Sequence, residues 1–126
     1  MDLTLQRPGD HLFIRAISDG KIQVGEEWHS GSLIISATSL VSNWDARCIE
    51  DLRPGSFEQI FEFAPEVVLL GTGAHQQFPP VELMMEFFHR GVGAEVMSTP
   101  AACRTFNVLV SEQRQVVAAL MPITQS

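Results

Sequence analysis

The sequence predicts an α/β fold: a single layered domain with a mixed central sheet, in which an N-terminal β-hairpin region precedes α-β-α-β-α-β crossovers. Three observations carry this. The run Glu66-Val67-Val68-Leu69-Leu70 lacks polar alternation, as in a parallel strand covered on both faces, and it leads into the two-glycine stretch Gly71-Thr72-Gly73. Two later segments, opened by Pro79-Pro80 and Pro100, carry helical apolar spacing, and each is followed by a short strand-like run. The chain has 126 residues and is 45% apolar, enough for one core without disulfides or metals, so one domain over residues 1–126 is expected.

Taken in order, Leu12–Ile17 reads as a strand, Ser18-Asp19-Gly20-Lys21 as a turn, and Ile22-Gln23-Val24 as its returning partner. Gly25–Gly31 reads as a polar connection, Ser32–Ala37 as a strand, Leu40-Val41 as the start of a further short one, and Trp44–Gly55 as irregular. Ser56 with Gln59 fits a capping box for a helix whose Phe57, Ile60, Phe61 and Ala64 form one stripe, and Pro65 ends it. After the strand at 66–70, Pro79-Pro80 opens a second helix with Val81, Met84, Met85 and Phe88 on one face. Its spacing also pairs Glu86 with Arg90, and Gly91 stops it. Ala94–Met97 is the next strand. Ser98-Thr99-Pro100 then caps a third helix running to about Val110, with Arg104, Asn107 and Ser111 on its polar face. Glu112-Gln113-Arg114 turns into a last strand over Gln115–Met121, which Pro122 closes. This order implies right-handed crossovers and neighbouring parallel strands.

The formal net charge of -7, with eight basic residues, argues against nucleic acid as a partner and against anionic lipid. A neutral or basic partner suits it better. Cys48 and Cys103 are too few for a disulfide framework and have no zinc spacing, which points to a reducing compartment. Met1–Pro8 lacks the character of a secretory or organelle leader, and no stretch reaches the ~18 apolar residues of a transmembrane segment. The expected location is the cytoplasm of a bacterium.

Candidate chemistry collects where the strands at 66–70 and 94–97 end, each leading to a helix start. The crevice beyond such strand ends is the usual ligand position in α/β sheets, and helix N-termini present unpaired N–H groups. A small anionic group there would meet Gly71, Thr72, Gly73, His75, Gln76, Ser98 and Thr99. The same residues also have ordinary duties, the glycines in turning the chain and Ser98 and Thr99 in capping. Gln76 stands where a dinucleotide fingerprint needs its third glycine, and no Gly-Lys-Ser/Thr occurs, so no cofactor is expected. His11, His29, His75 and His89 are not spaced for a metal, and no nucleophile, base and orienter assemble, so neither metal nor catalytic residues are assigned. An apolar patch that left Trp28, Trp44, Leu83 or Phe87 exposed would favour association.

The blocks Val68-Leu69-Leu70-Gly71-Thr72-Gly73, Arg90-Gly91-Val92-Gly93-Ala94-Glu95-Val96-Met97-Ser98-Thr99-Pro100-Ala101-Ala102-Cys103-Arg104-Thr105-Phe106-Asn107-Val108-Leu109 and Val117-Ala118-Ala119-Leu120-Met121-Pro122 resemble a small family with the Mth938-like fold. It includes the mitochondrial respiratory complex I assembly factor 3 and many uncharacterised bacterial proteins. The resemblance extends over essentially the whole chain and implies a compact α/β layered domain with a mixed sheet. It also implies a non-catalytic protein that acts through a protein partner and offers no catalytic residues to carry over. Bacterial relatives often place an Arg soon after the Gly-Thr-Gly stretch, where this chain has Ala74-His75-Gln76-Gln77, which weakens an anion site at neutral pH. Two functions are thus expected in order: a non-catalytic assembly or interaction protein, then a small anionic ligand binder or weak enzyme using the crevice at Thr72, His75 and Ser98.

Overall fold

In the computed structural model, which describes residues 11–124, two sheets share one architecture. The smaller is an antiparallel meander of β1 (Ile14–Ser18), β2 (Lys21–Val24) and β3 (Glu27–Ser30). Ser18 pairs with Lys21 across a two-residue Asp19-Gly20 turn, and Gly20 takes the positive φ of 70° that such a turn requires. The strand β3 corrects the reading of Gly25–Gly31 as a loop. Gly25, at φ 58°, makes a second tight turn, and Glu27–Ser30 then pairs along the whole of β2. Its exposed, polar composition hid it, as befits an edge strand with one wet face.

The larger sheet runs in the order β5-β4-β8-β6-β7, built from β4 (Leu33–Ile35), β5 (Leu40–Ser42), β6 (Val67–Thr72), β7 (Gly93–Met97) and β8 (Val116–Met121). It is mixed: β6 lies parallel to both β7 and β8, whereas β4 is antiparallel to β8 and β5. Every residue of β8 is buried, which explains its unbroken Val-Val-Ala-Ala-Leu-Met composition. Alternate residues face two separate cores. Leu33, Ile35, Leu69, Ala118 and Leu120 meet the small sheet and Phe106 of α3 (Thr99–Ser111). Ile34, Val68, Leu70, Ala119 and Met121 meet Trp44, Phe57, Ile60, Leu83 and Phe87 on the other side. These belong to the 44–57 segment, α1 (Glu58–Phe61) and α2 (Val81–His89).

Three local expectations change. The capping box at Ser56 does not form: its hydroxyl accepts from the Arg53 N–H, and α1 is a single turn starting at Glu58. Ala64 is exposed at φ 52°, so the helix has ended well before Pro65. Arg90 pairs with Glu58 at 3.1 Å and lies over the Phe61 ring at 4.1 Å, instead of bonding Glu86. The third helix follows its sequence: the Ser98 hydroxyl accepts from the Ala101 N–H, and Thr99 to Val110 present a buried stripe. Asn107, expected on the polar face, is half-buried. Its amide both accepts from and donates to the backbone of Ile14, tying α3 to the small sheet. The leader reading of Met1–Pro8 lies outside the described residues.

Candidate functional site

The expected crevice is held together by its own polar groups. Gly71 belongs to β6, not to a turn, because the strand continues through Thr72 before Gly73 turns at φ 91°. A Cβ on Gly71 would lie 3.0 Å from the Cα and Oγ1 of Thr99 and from Leu120, so glycine is needed there for space. Thr99 is fully buried. Its hydroxyl donates to the Met121 carbonyl at 2.7 Å and accepts from the Gly73 N–H at 2.8 Å, while its own N–H donates to the Gly73 carbonyl at 2.8 Å. One side chain thereby fastens the ends of β6 and β8 to the start of α3.

Thr72 does similar work one residue earlier. Its hydroxyl donates to the His75 carbonyl at 2.6 Å, with the Met97 carbonyl 3.2 Å away, and accepts from the Gln77 N–H at 3.0 Å. The Gln76 amide donates to the Val96 carbonyl at 2.9 Å, along the outer edge of β7. Ser98 caps α3, and His75 stands exposed on the loop. The structure thus brings Gly73, Thr99 and the β8 end together and gathers Thr72, His75 and Gln77 into one turn. The Thr72 and Thr99 hydroxyls, the Gly73 N–H and the Gln76 amide all donate within the chain.

Among the described residues, other concavities lie away from this end of the sheet. A cleft of about 520 Å³ opens between Trp44, Asp45, Asp51 and Arg53, and the Arg47 N–H bonded to Asp51 holds that carboxyl below its ordinary range. Burial pushes the Cys103 thiol up to about 12, with the neighbouring Arg104 charge pulling weakly the other way, so Cys103 is a packing residue of α3. Among the described residues, no group of three or more His, Cys, Asp or Glu side chains is placed to hold a metal.

Sequence reasoning grouped Val81, Met84, Met85 and Phe88 on one face of α2 without fixing which way that face turns. Leu83 and Phe87 are 6% and 1% exposed and form the inner face. Val81 at 71%, Met85 at 39% and Phe88 at 72% lie outside, with Phe78 at 69% on the segment leading in. The expected apolar face of Val81, Met84, Met85 and Phe88 is therefore the solvent face, with only Met84 partly covered. The signal was present: six of the nine residues of α2 are apolar, more than one core-facing stripe needs. Of the four candidate patch residues, Trp44, Leu83 and Phe87 are buried, and Trp28 on β3 is the exposed one. Trp44 instead donates its indole N–H to the Ser56 carbonyl.

Comparison with known proteins places these features in a family. A family model described as a protein of unknown function (DUF498/DUF598) matches residues 14–121. A Francisella tularensis protein named 13 kDa major membrane protein is 33% identical over 96 residues, covering 75% of this chain and 76% of that protein. The zebrafish (Danio rerio) NADH dehydrogenase [ubiquinone] 1 alpha subcomplex assembly factor 3 is 38% identical over 84 residues, 65% of this chain; the match spans 48% of the factor's own length. A solution NMR structure of a Bordetella pertussis protein described as a Mth938-like domain superposes with a TM-score of 0.81 at 28% identity, covering 100% of this chain and 95% of that one. The chain is thus homologous to a complex I assembly factor, has the Mth938-like fold and belongs to the DUF498/DUF598 family.

Proposed function

We propose that this chain is a non-catalytic, assembly-factor-like protein that works by binding another protein, in the cytoplasm of a bacterium. The observation that carries the reading is the outer face of α2, where Phe78, Val81, Met85 and Phe88 remain open to solvent. Two exposed phenylalanines on and beside one short helix are costly to leave in water, and aromatic side chains are enriched where proteins associate. Homology to the assembly factor supports the same direction, over the part of that protein which this chain matches. Among the described residues, no helix is long and apolar enough to cross a membrane, so a membrane-bound client would be reached through a surface.

The test is genetic. Deletion in a host that carries a respiratory NADH dehydrogenase should lower the amount of assembled enzyme on native gels, and the wild-type chain should restore it. Unchanged assembly and unchanged NADH oxidation in the deletion strain would refute the proposal.

A further inference from the structure

Resting on that reading, we infer that the partner presents a basic amphipathic helix, and that α2 receives it along Val81, Met85 and Phe88. These three residues stand at i, i+4 and i+7, so they form a single ridge along the helix, the spacing at which one helix offers anchors to another. Glu82 and Glu86, also four residues apart, border one side of the ridge. Neither carboxylate has an ion pair among the described residues, since the nearby Arg90 is held by Glu58 and the Phe61 ring. Both carboxylates leave negative charge along that edge of α2, Glu82 in its first turn and Glu86 beside the concavity it lines with Glu58, His89 and Arg90.

On the other side of the ridge stands Met84, half-buried against the second core, which Val92, Ala94 and Val96 also pack against. An occupant therefore needs an apolar face, with positive charge along the edge that meets Glu82 and Glu86. A second copy of this chain would bring further carboxylates to a molecule already at -7, and an anionic bilayer would be repelled in the same way. Packing of a second helix's apolar stripe against this ridge, with the register set by rim charges, fits the observed arrangement.

The experiment uses the full chain and a helix-forming peptide with leucine on one face and lysine on the other, compared with a leucine/glutamate peptide of the same pattern. Fluorescence anisotropy should show the lysine peptide binding and the glutamate peptide failing, with amide shifts gathered over residues 78–90. The neutral double substitution Val81→Gln with Phe88→Gln should weaken binding by about tenfold or more, as loss of central anchors does. Glu82→Lys with Glu86→Lys should reverse the peptide preference, and circular dichroism checks that each variant is folded.

Binding that survives the ridge substitution, or shifts that fall elsewhere, would overturn the inference. So would a dimer in sedimentation or flotation with anionic vesicles, where either is abolished by Val81→Gln with Phe88→Gln. The two proposals fail separately. If the ridge variant loses the peptide yet still restores NADH dehydrogenase assembly in the deletion strain, the docking site is wrong and the assembly role stands. If deletion leaves assembly intact while the peptide binds as described, the reverse holds.

Discussion

The glycine stretch at the end of β6 and the outer face of α2 lie next to each other along the chain, and they invert what their sequences suggest. Gly71-Thr72-Gly73 has the composition of a ligand loop, yet the Thr72 hydroxyl donates to the His75 carbonyl and the Gly73 N–H donates to the Thr99 hydroxyl. Val81, Met85 and Phe88 have the composition of a core stripe, yet they stand in solvent. Residue type alone does not separate closed from open. The difference lies in what packs above: α3 presses Thr99 onto Gly71, whereas the described chain places no element over the outer side of α2.

Adjacent phenylalanines give the sharpest way to break this comparison. Phe87 stacks on Phe57 at 4.5 Å between ring centroids and fills the second core. Phe87→Ala should therefore cost about 3–5 kcal/mol in urea unfolding, the range for emptying a buried aromatic site. Phe88→Gln, one residue on, should stay within about 0.5 kcal/mol of wild type. Equal losses would mean that α2 is covered on both faces.

Much of the fold was legible because its signals are local. The hairpin at Asp19-Gly20, the buried strands β6 and β8, and the capped α3 each declare themselves through a turn residue, an unbroken apolar run or a proline at the first turn. What was not legible depends on which of several available partners a residue takes. Ser56 has the right neighbour for a capping box, but Arg53 lies close enough to take its hydroxyl. The polar strand β3 exists because β2 already has a free edge. Which of the two apolar stripes of α2 turns inward is decided by Phe57 and Ile60, more than twenty residues earlier.

Substitutions at the closed end test whether it is closed for packing or for polar satisfaction. Gly71→Ala should cost about 3 kcal/mol, since one of the atoms it meets at 3.0 Å is the Thr99 Cα, which no rotamer change removes. Thr99→Val keeps the volume but strands the buried Gly73 N–H and Met121 carbonyl, for a loss of about 2 kcal/mol. Thr99→Ser should recover most of that loss, because the hydroxyl returns. If Thr99→Val were neutral in chemical denaturation, the hydroxyl would be a spectator, and the glycine end would be closed by shape alone.

The smallest effect reports how dry the closed side is. Cys103 lies on the buried stripe of α3, where desolvation raises its thiol from 9.0 to about 12. The folded chain therefore keeps the proton after the unfolded chain has released it. A raised folded value means that this stability is fully present below about pH 9 and drains away as pH climbs towards 12. Between pH 8 and 9.5 the wild type should lose about 0.8 kcal/mol more than Cys103→Ala, read from urea midpoints at both pH values. Parallel pH curves for the two proteins would mean that water reaches the thiol, and that the face of the sheet under α3 is less tightly shut than the hydrogen bonds at Thr99 imply.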